Sequence, residues 1–334
     1  MKKVISLLLV FAIVFAFAAC GTTNNEDETT TEAPYQSVSM RVAGLAGPTG
    51  IGMVNLMKSQ DDKTAKNDYT FSVVSDPTEI VAGMTNSSYD IAACPINLAA
   101  TLYNKLQGNI QVLSVNTKGV LYILENGNTI NSVEDLEGKT IYSAGQGAVP
   151  EYALKYILDS MGVNCTIKFE SEHDVVSSQI ISGAADIVLL PEPKVTATLK
   201  NEKAPENLRI ALDLNDLWEE ACKKNGDDST LYMGCIIVNK KWAEEHKDEY
   251  GVFLMEYYNS VNTVNSNPDA ASQMIANHGI IPKAPLAKAA IPNANIVCIT
   301  GEEMSKGLTG FYKILHKYNP ASVGGEIPGE EFYK

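Results

Sequence analysis

The sequence predicts an α/β protein of two similar lobes, each a mainly parallel sheet flanked by helices. Three observations carry this. Short β-forming runs alternate with stretches of helical spacing from Val38 to Leu124. The alternation starts again at Thr140. Each series puts a proline-bearing loop after its third strand, Cys94-Pro95-Ile96-Asn97 in the first and Leu190-Pro191-Glu192-Pro193 in the second.

In the first series, Val38–Leu45 reads as a strand, Gly47-Pro48-Thr49-Gly50 as a loop, and Ile51–Lys58 as a helix. Tyr69–Ser75 is the second strand, and Asp76-Pro77-Thr78 opens a helix running to about Asn86. Ile91–Cys94 is a short buried strand, Leu98–Leu106 a helix, and Ile110–Val115 and Val120–Leu124 further strands. Ligands of parallel sheets sit beyond the carboxyl ends of the strands, which here means loops 46–50, 75–78 and 94–97.

The second series opens with a short acidic helical turn at Ser132–Leu136. Lys139–Leu158 then reads as strand, glycine loop and helix. Thr140, Ile141 and Tyr142 are β-formers, Gly145 and Gly147 allow a sharp turn, and Pro150 suits a first helical turn. Such a loop offers unpaired N–H groups and the positive end of a helix dipole, a cradle for a polar ligand. An ordinary strand-to-helix turn fits the same residues. Strand Cys165–Phe169, helix Glu172–Ser182, strand Asp186–Leu190, helix 194–200 and strand Leu208–Asp213 follow. Leu231–Asn239 reads as a strand that returns the chain to the first lobe. The remainder is helical over 241–246, 247–266, 268–278 and 301–318, with an end from Asn319 expected to be peripheral.

The 334 residues suit two lobes and a tail. A formal net charge of −14 argues against a nucleic-acid partner. Arginine, the usual fork for carboxylate, sulfonate or phosphate, occurs only at Arg41 and Arg209, neither in an expected cleft loop. Lys2 and Lys3 followed by the apolar run Val4–Ala19 form a signal peptide over 1–19. Ala18-Ala19-Cys20 is similar to a bacterial lipobox, which implies cleavage before Cys20 and lipidation, including palmitate, of that cysteine. Residues 20–36 hold almost nothing apolar and read as a flexible tether. Cys94, Cys165, Cys222, Cys235 and Cys298 show no metal spacing, and an odd number leaves at least one thiol free. Export permits disulfides, and a Cys222–Cys235 bridge is compatible with the spacing without being required by it.

The lipobox at Cys20, GPTGIGM at 47–53, LEGKTIYSAGQGAVPEYALKYIL at 136–158, SGAADIVLLPEP at 182–193 and WAEEHKD at 242–248 together resemble the extracytoplasmic substrate-binding lipoproteins of ABC importers, in the SsuA/THI5-like branch that binds sulfonates, nitrate and thiamine pyrimidines. The resemblance implies the two-lobed periplasmic-binding-protein fold of type II, with crossovers near 116–124 and 230–238. Lobe 1 would be 37–119 with 237–334, and lobe 2 would be 120–236. It implies a monomer tethered to a bacterial membrane by its lipid alone, which closes on a small molecule and hands it to an ABC permease. No cofactor, metal or catalytic residue is implied.

The expected cleft residues are Thr49, Gly50, Asp76, Ile96 and Asn97 from lobe 1, and Ser143, Gln146, Gly147, Ala148 and Glu192 from lobe 2. Tyr122 and Tyr232 stand near the crossovers, where a ring can stack on a flat ligand. Several have a second reading: Asp76 and Asn97 as helix caps, the glycines as turn-formers, the tyrosines as core. Scarce arginine favours a neutral or weakly basic flat heterocycle, such as a thiamine-pyrimidine precursor. A sulfonate or nitrate held by helix N-termini is the alternative. An enzyme of the pyrimidine-synthase-like fold is a further one, although His173, His246, His278 and His316 all lie outside the expected cleft loops.

Overall fold

The computed structural model describes residues 35–334. The expected signal peptide, Cys20 and nearly all of the tether lie outside the described residues. Among the described residues, no helix is long and apolar enough to cross a membrane.

In chain order the strands are β1 (Ser39–Leu45), β2 (Asp68–Val74), β3 (Ile91–Pro95), β4 (Ile110–Lys118), β5 (Leu121–Asn126), β6 (Thr140–Ala144), β7 (Thr166–Glu170), β8 (Ile187–Pro191), β9 (Leu208–Asp213), β10 (Tyr232–Asn239) and β11 (Ile296–Ile299). They form two sheets, ordered β11-β4-β10-β3-β1-β2 and β7-β6-β8-β5-β9. Strand β1 is parallel to β2 and β3, and β10 runs antiparallel between β3 and β4. Likewise β6 is parallel to β7 and β8, and β5 runs antiparallel between β8 and β9. Without β11, both sheets share one plan: second, first, third, inserted, fourth. Each inserted strand is one that the chain delivers from the other lobe. This is the two-lobed α/β fold with two crossovers.

The local chemistry explains the elements. β3 (IAACP) and β8 (IVLLP) are buried along nearly their whole length, as fits a strand covered on both faces. Helix Val149–Met161 ends at Gly162 and helix His173–Ser182 at Gly183, both glycines in the left-handed region.

Four features depart from the sequence expectation. Helix Leu214–Asn225 was not anticipated. Asp213 caps it by accepting from Asn215 N, Gly226 stops it, and Leu214, Leu217, Trp218, Ala221 and Cys222 form its buried face. Helix Ala284–Ala290 and strand β11 are likewise additional. The end of the chain is not peripheral. Phe332 is fully buried among Tyr103, Tyr312 and Tyr333, and Asn104 Nδ2 donates to the carbonyls of Val323 and Glu326.

One apolar cluster runs through both lobes, beside a separate cluster in each. At its centre the Trp218 ring lies 4.6 Å from Tyr156 and 5.5 Å from Phe311. This joins helices Val149–Met161 and Leu214–Asn225, which cover the five-stranded sheet, to helix Gly301–Tyr318.

Candidate functional site

Register alone places the site. β1 to β4 share one direction, so Leu45, Val74, Pro95 and Lys118 end at one edge, where β10 begins with Tyr232 opposite Lys118. β6 to β9 share a direction too, so Ala144, Glu170, Pro191 and Asp213 end at one edge, where β5 begins with Leu121 opposite Pro191. Only Gly119 and Val120 separate the end of β4 from the start of β5. The carboxyl edges of the two sheets therefore meet at the crossovers, and the loops after β1, β3, β6 and β8 border that junction.

The junction is pinned by hydrogen bonds. The Gly119 carbonyl accepts from Asn215 Nδ2 at 2.9 Å and Asn295 Nδ2 at 2.6 Å. Gly119 has no room for a side chain, because a Cβ would overlap Asn215. Glu192 N donates to the Val120 carbonyl at 2.9 Å, and Lys118 N donates to Asn295 O at 3.1 Å.

On the first wall, Thr49 and Gly50 lie in the short helix Pro48–Ile51 and are buried. Asn116 Nδ2 donates to Thr49 O at 3.0 Å, and Thr117 Oγ1 donates to Asn116 Oδ1 at 2.9 Å. Gly234 of β10 lies against Thr49 and Asn116, where any side chain would collide with both. Asp76 is exposed and accepts from Thr78 N at 2.8 Å, so it is a helix cap. That bond from Thr78 holds its carboxyl below the ordinary range. Ile96 is fully buried, and its carbonyl accepts from Tyr312 Oη. Asn97 is half-buried in the first turn of helix Ile96–Lys105, and its carbonyl accepts from Thr101 Oγ1.

On the second wall, Ser143 is fully buried and donates to the Ala144 carbonyl. Gln146 and Gly147 are exposed, and Ala148 is half-buried. The Gly147 N–H is already engaged, since it donates to Glu151 Oε2 at 2.7 Å. The Ala148 N–H donates to Gly145 O at 3.1 Å. Similarly, Gly47 N donates to Ile280 O and Gly50 N to Gly47 O. These four loop amides are therefore occupied inside the protein.

Glu192 is the buried charged group at the junction, 1% exposed. It accepts from Thr196 N at 3.1 Å, from Thr196 Oγ1 at 2.9 Å and from Asn293 Nδ2 at 3.4 Å. Burial outweighs these bonds and pushes its carboxyl above the ordinary range. Tyr122 Oη donates to the Asn293 carbonyl at 3.0 Å. Asn293 lies on the side of the six-stranded sheet, whereas Tyr122 and Glu192 belong to the five-stranded one. One asparagine thus bridges the two lobes from its main chain and its side chain. Tyr122 is 5% exposed and Tyr232 2% exposed. The Tyr232 ring packs on Gly307 and Phe311, which makes it a core residue.

Both arginines sit at the opposite edges of the sheets. Arg41 pairs with Asp90 just before β3, and Arg209 at the start of β9 pairs with Glu125. The junction itself carries the carboxylates of Glu192, Asp213 and Asp216, with Lys118 beside the last two. Burial pushes the Asp213 carboxyl up. Asn116, Asn293, Asn295 and Thr196 were not anticipated. The available signal was the adjacent Asn116-Thr117 pair near the end of β4 and the Asn-Ala-Asn run before β11.

Comparison with known proteins fits this arrangement. No curated protein sequence matches the chain. A crystal structure of an ABC transporter from Parabacteroides distasonis is similar at a TM-score of 0.74 and 21% identity, covering 89% of this chain and 98% of that one. The periplasmic aliphatic sulphonate binding protein SsuA from Escherichia coli is similar at a TM-score of 0.68 and 13% identity, covering 89% and 96%. The ligand-binding component of an ABC-type import system from Staphylococcus aureus, solved with zinc bound, is similar at a TM-score of 0.63 and 12% identity, covering 89% and 98%. In this chain, no group of three or more His, Cys, Asp and Glu able to hold a metal ion occurs among the described residues. The family described as NMT1/THI5 like matches residues 104–271, just over half of the 334. The chain has the fold of the periplasmic binding proteins and belongs to the NMT1/THI5-like family.

Proposed function

We propose that this chain is an extracytoplasmic solute-binding lipoprotein, which captures a small molecule between its lobes and delivers it to an ABC permease. The observation that carries this reading is the meeting of two carboxyl sheet edges at paired crossovers, with polar side chains supplied from both sides. Thr49, Asn97, Gln146 and Glu192 are the side chains we assign to the ligand, with Asn116 fixing Thr49. Ser143, Ile96 and Tyr232 support the walls from within. We assign 37–119 and the chain from 232 to lobe 1 and 120–231 to lobe 2, five residues earlier than the expected return at 237, because the whole of β10 pairs in the six-stranded sheet. Closure over the ligand is a hinge motion about Gly119-Val120 and the segment before β10.

The ligand we infer is neutral or weakly basic, flat and polar, a heterocycle such as a pyrimidine precursor. Two facts support it over a sulfonate: both guanidinium groups are engaged at the far edges, and the junction is rich in carboxylates. Mass spectrometry of small molecules released from the purified protein identifies the class. Thermal shift with the identified compound follows, because a ligand of the folded state raises Tm with concentration. A released sulfonate that raises Tm would reverse the ligand assignment. No saturable shift with any released compound would overturn capture, and chemical conversion of the compound would favour an enzyme.

A further inference from the structure

Cys94 and Cys235 stand directly opposite each other in the antiparallel pairing of β3 with β10. Both are fully buried free thiols. Opposed residues of an antiparallel ladder have Cα atoms about 4.5 or 5.5 Å apart, and both spacings fall within the roughly 4.4–6.8 Å that a disulfide spans. Facing residues also project to the same side of the pleat. Cys222, the partner that the sequence left open, lies elsewhere: its sulfur meets Tyr156 Oη at 3.5 Å on helix Leu214–Asn225. We propose that Cys94 and Cys235 close a cross-strand disulfide when the chain folds in the presence of an external disulfide.

The chemistry is thiol–disulfide exchange. One cysteine thiolate attacks the external disulfide, forms a mixed disulfide and releases one external thiol. The second cysteine, as thiolate, attacks the protein sulfur of that mixed disulfide and releases the second external thiol. Two protein thiols and one external disulfide become one protein disulfide and two external thiols. Because neither sulfur is reachable in the folded chain, the external disulfide must react during folding, and closure follows as β10 docks against β3. The bond would close the excursion of residues 95–234, which contains both crossovers and the whole five-stranded sheet. It would also tie the return strand to β3, which leads directly into helix Ile96–Lys105. A cross-link over so long a loop restricts the unfolded chain strongly.

The test uses the full chain in detergent, unfolded and reduced, then refolded with glutathione disulfide. Remaining thiols are alkylated under denaturing conditions and the chain is digested with trypsin. Cys94, Cys222 and Cys235 fall in separate peptides, 67–105, 210–223 and 225–240. The expected result is peptide 67–105 joined to 225–240, with Cys222 alkylated. The oxidised chain should melt roughly 5–10 °C above the reduced one. Cys94→Ser should abolish that difference, and Cys222→Ser should preserve it. Alkylation of both Cys94 and Cys235, glutathione retained on either, or linkage of Cys235 to Cys222 would each overturn the proposal. The peptide map of the unmodified sequence decides even if a serine variant fails to fold.

Discussion

Truncation of Glu192 is the sharpest perturbation of the junction. Its carboxylate receives two well-formed bonds, from Thr196 N at 3.1 Å and Thr196 Oγ1 at 2.9 Å, and a stretched one from Asn293 at 3.4 Å. Thr196 is buried, so Glu192→Ala strands a buried N–H and hydroxyl at about 1–3 kcal/mol each. Removing a buried carboxylate relieves a desolvation cost of a few kcal/mol, which offsets part of that loss. The net expectation is a loss of about 2 kcal/mol, or a Tm lower by roughly 4 °C. Glu192→Gln keeps the shape and gives the finer check. Burial holds the folded carboxyl above its ordinary value of 4.5, so the folded chain retains this proton to higher pH than the unfolded chain does. Stability from this group is therefore complete below the ordinary value and is lost as pH rises through the folded one. Urea denaturation across that window should show the parent chain losing stability relative to Glu192→Gln as pH rises. Parallel profiles for the two, together with an unchanged Tm for Glu192→Ala, would refute the reasoning.

Tyr122→Phe keeps the buried ring but removes the 3.0 Å bond to the Asn293 carbonyl, worth about 1 kcal/mol. The unliganded protein should shift toward the open form by roughly fivefold, seen as a larger radius of gyration in solution scattering. Gly310→Ala should cost more than about 2 kcal/mol in denaturant unfolding, because an added Cβ would overlap the Asp228 carbonyl and push helix Gly301–Tyr318 off its seat. Phe332→Ala should cost about 3–5 kcal/mol, the penalty of emptying a fully buried aromatic site, and a Tm equal to the parent's would contradict the docked end.

The repeated strand–loop–helix rhythm made both sheets legible. The Pro-bearing loops after β3 and β8 even exposed their common plan, because apolar runs such as IVLLP and glycine stops such as Gly162 are local signals. What pairs with what is not local. The antiparallel insertion of β5 and β10 follows from the crossovers, and the seat of Phe332 includes Tyr103, more than two hundred positions away. Helix Leu214–Asn225 carried readable signals in its Asp213 cap and Gly226 stop. At the site, Asp76 appeared as a cap or a ligand acceptor, and the structure shows the cap. The glycine loops suggested free amides, but Glu151, four residues after Gly147, takes one of them. The Asn-Ala-Asn run alone gives Asn293 no role, because its importance lies in two partners from the other lobe.

Pulsed dipolar spectroscopy tests closure most directly, with spin labels at Glu79→Cys, exposed in the first turn of helix Pro77–Thr85 beside the first wall, and at Ser171→Cys, exposed just after β7 at the carboxyl edge of the other sheet, in a chain whose half-buried Cys165 and Cys298 are serine. Adding the small molecule released from the native protein should shorten and narrow the distance distribution. Saturable binding with an unchanged distribution would show that the lobes do not shut on their ligand.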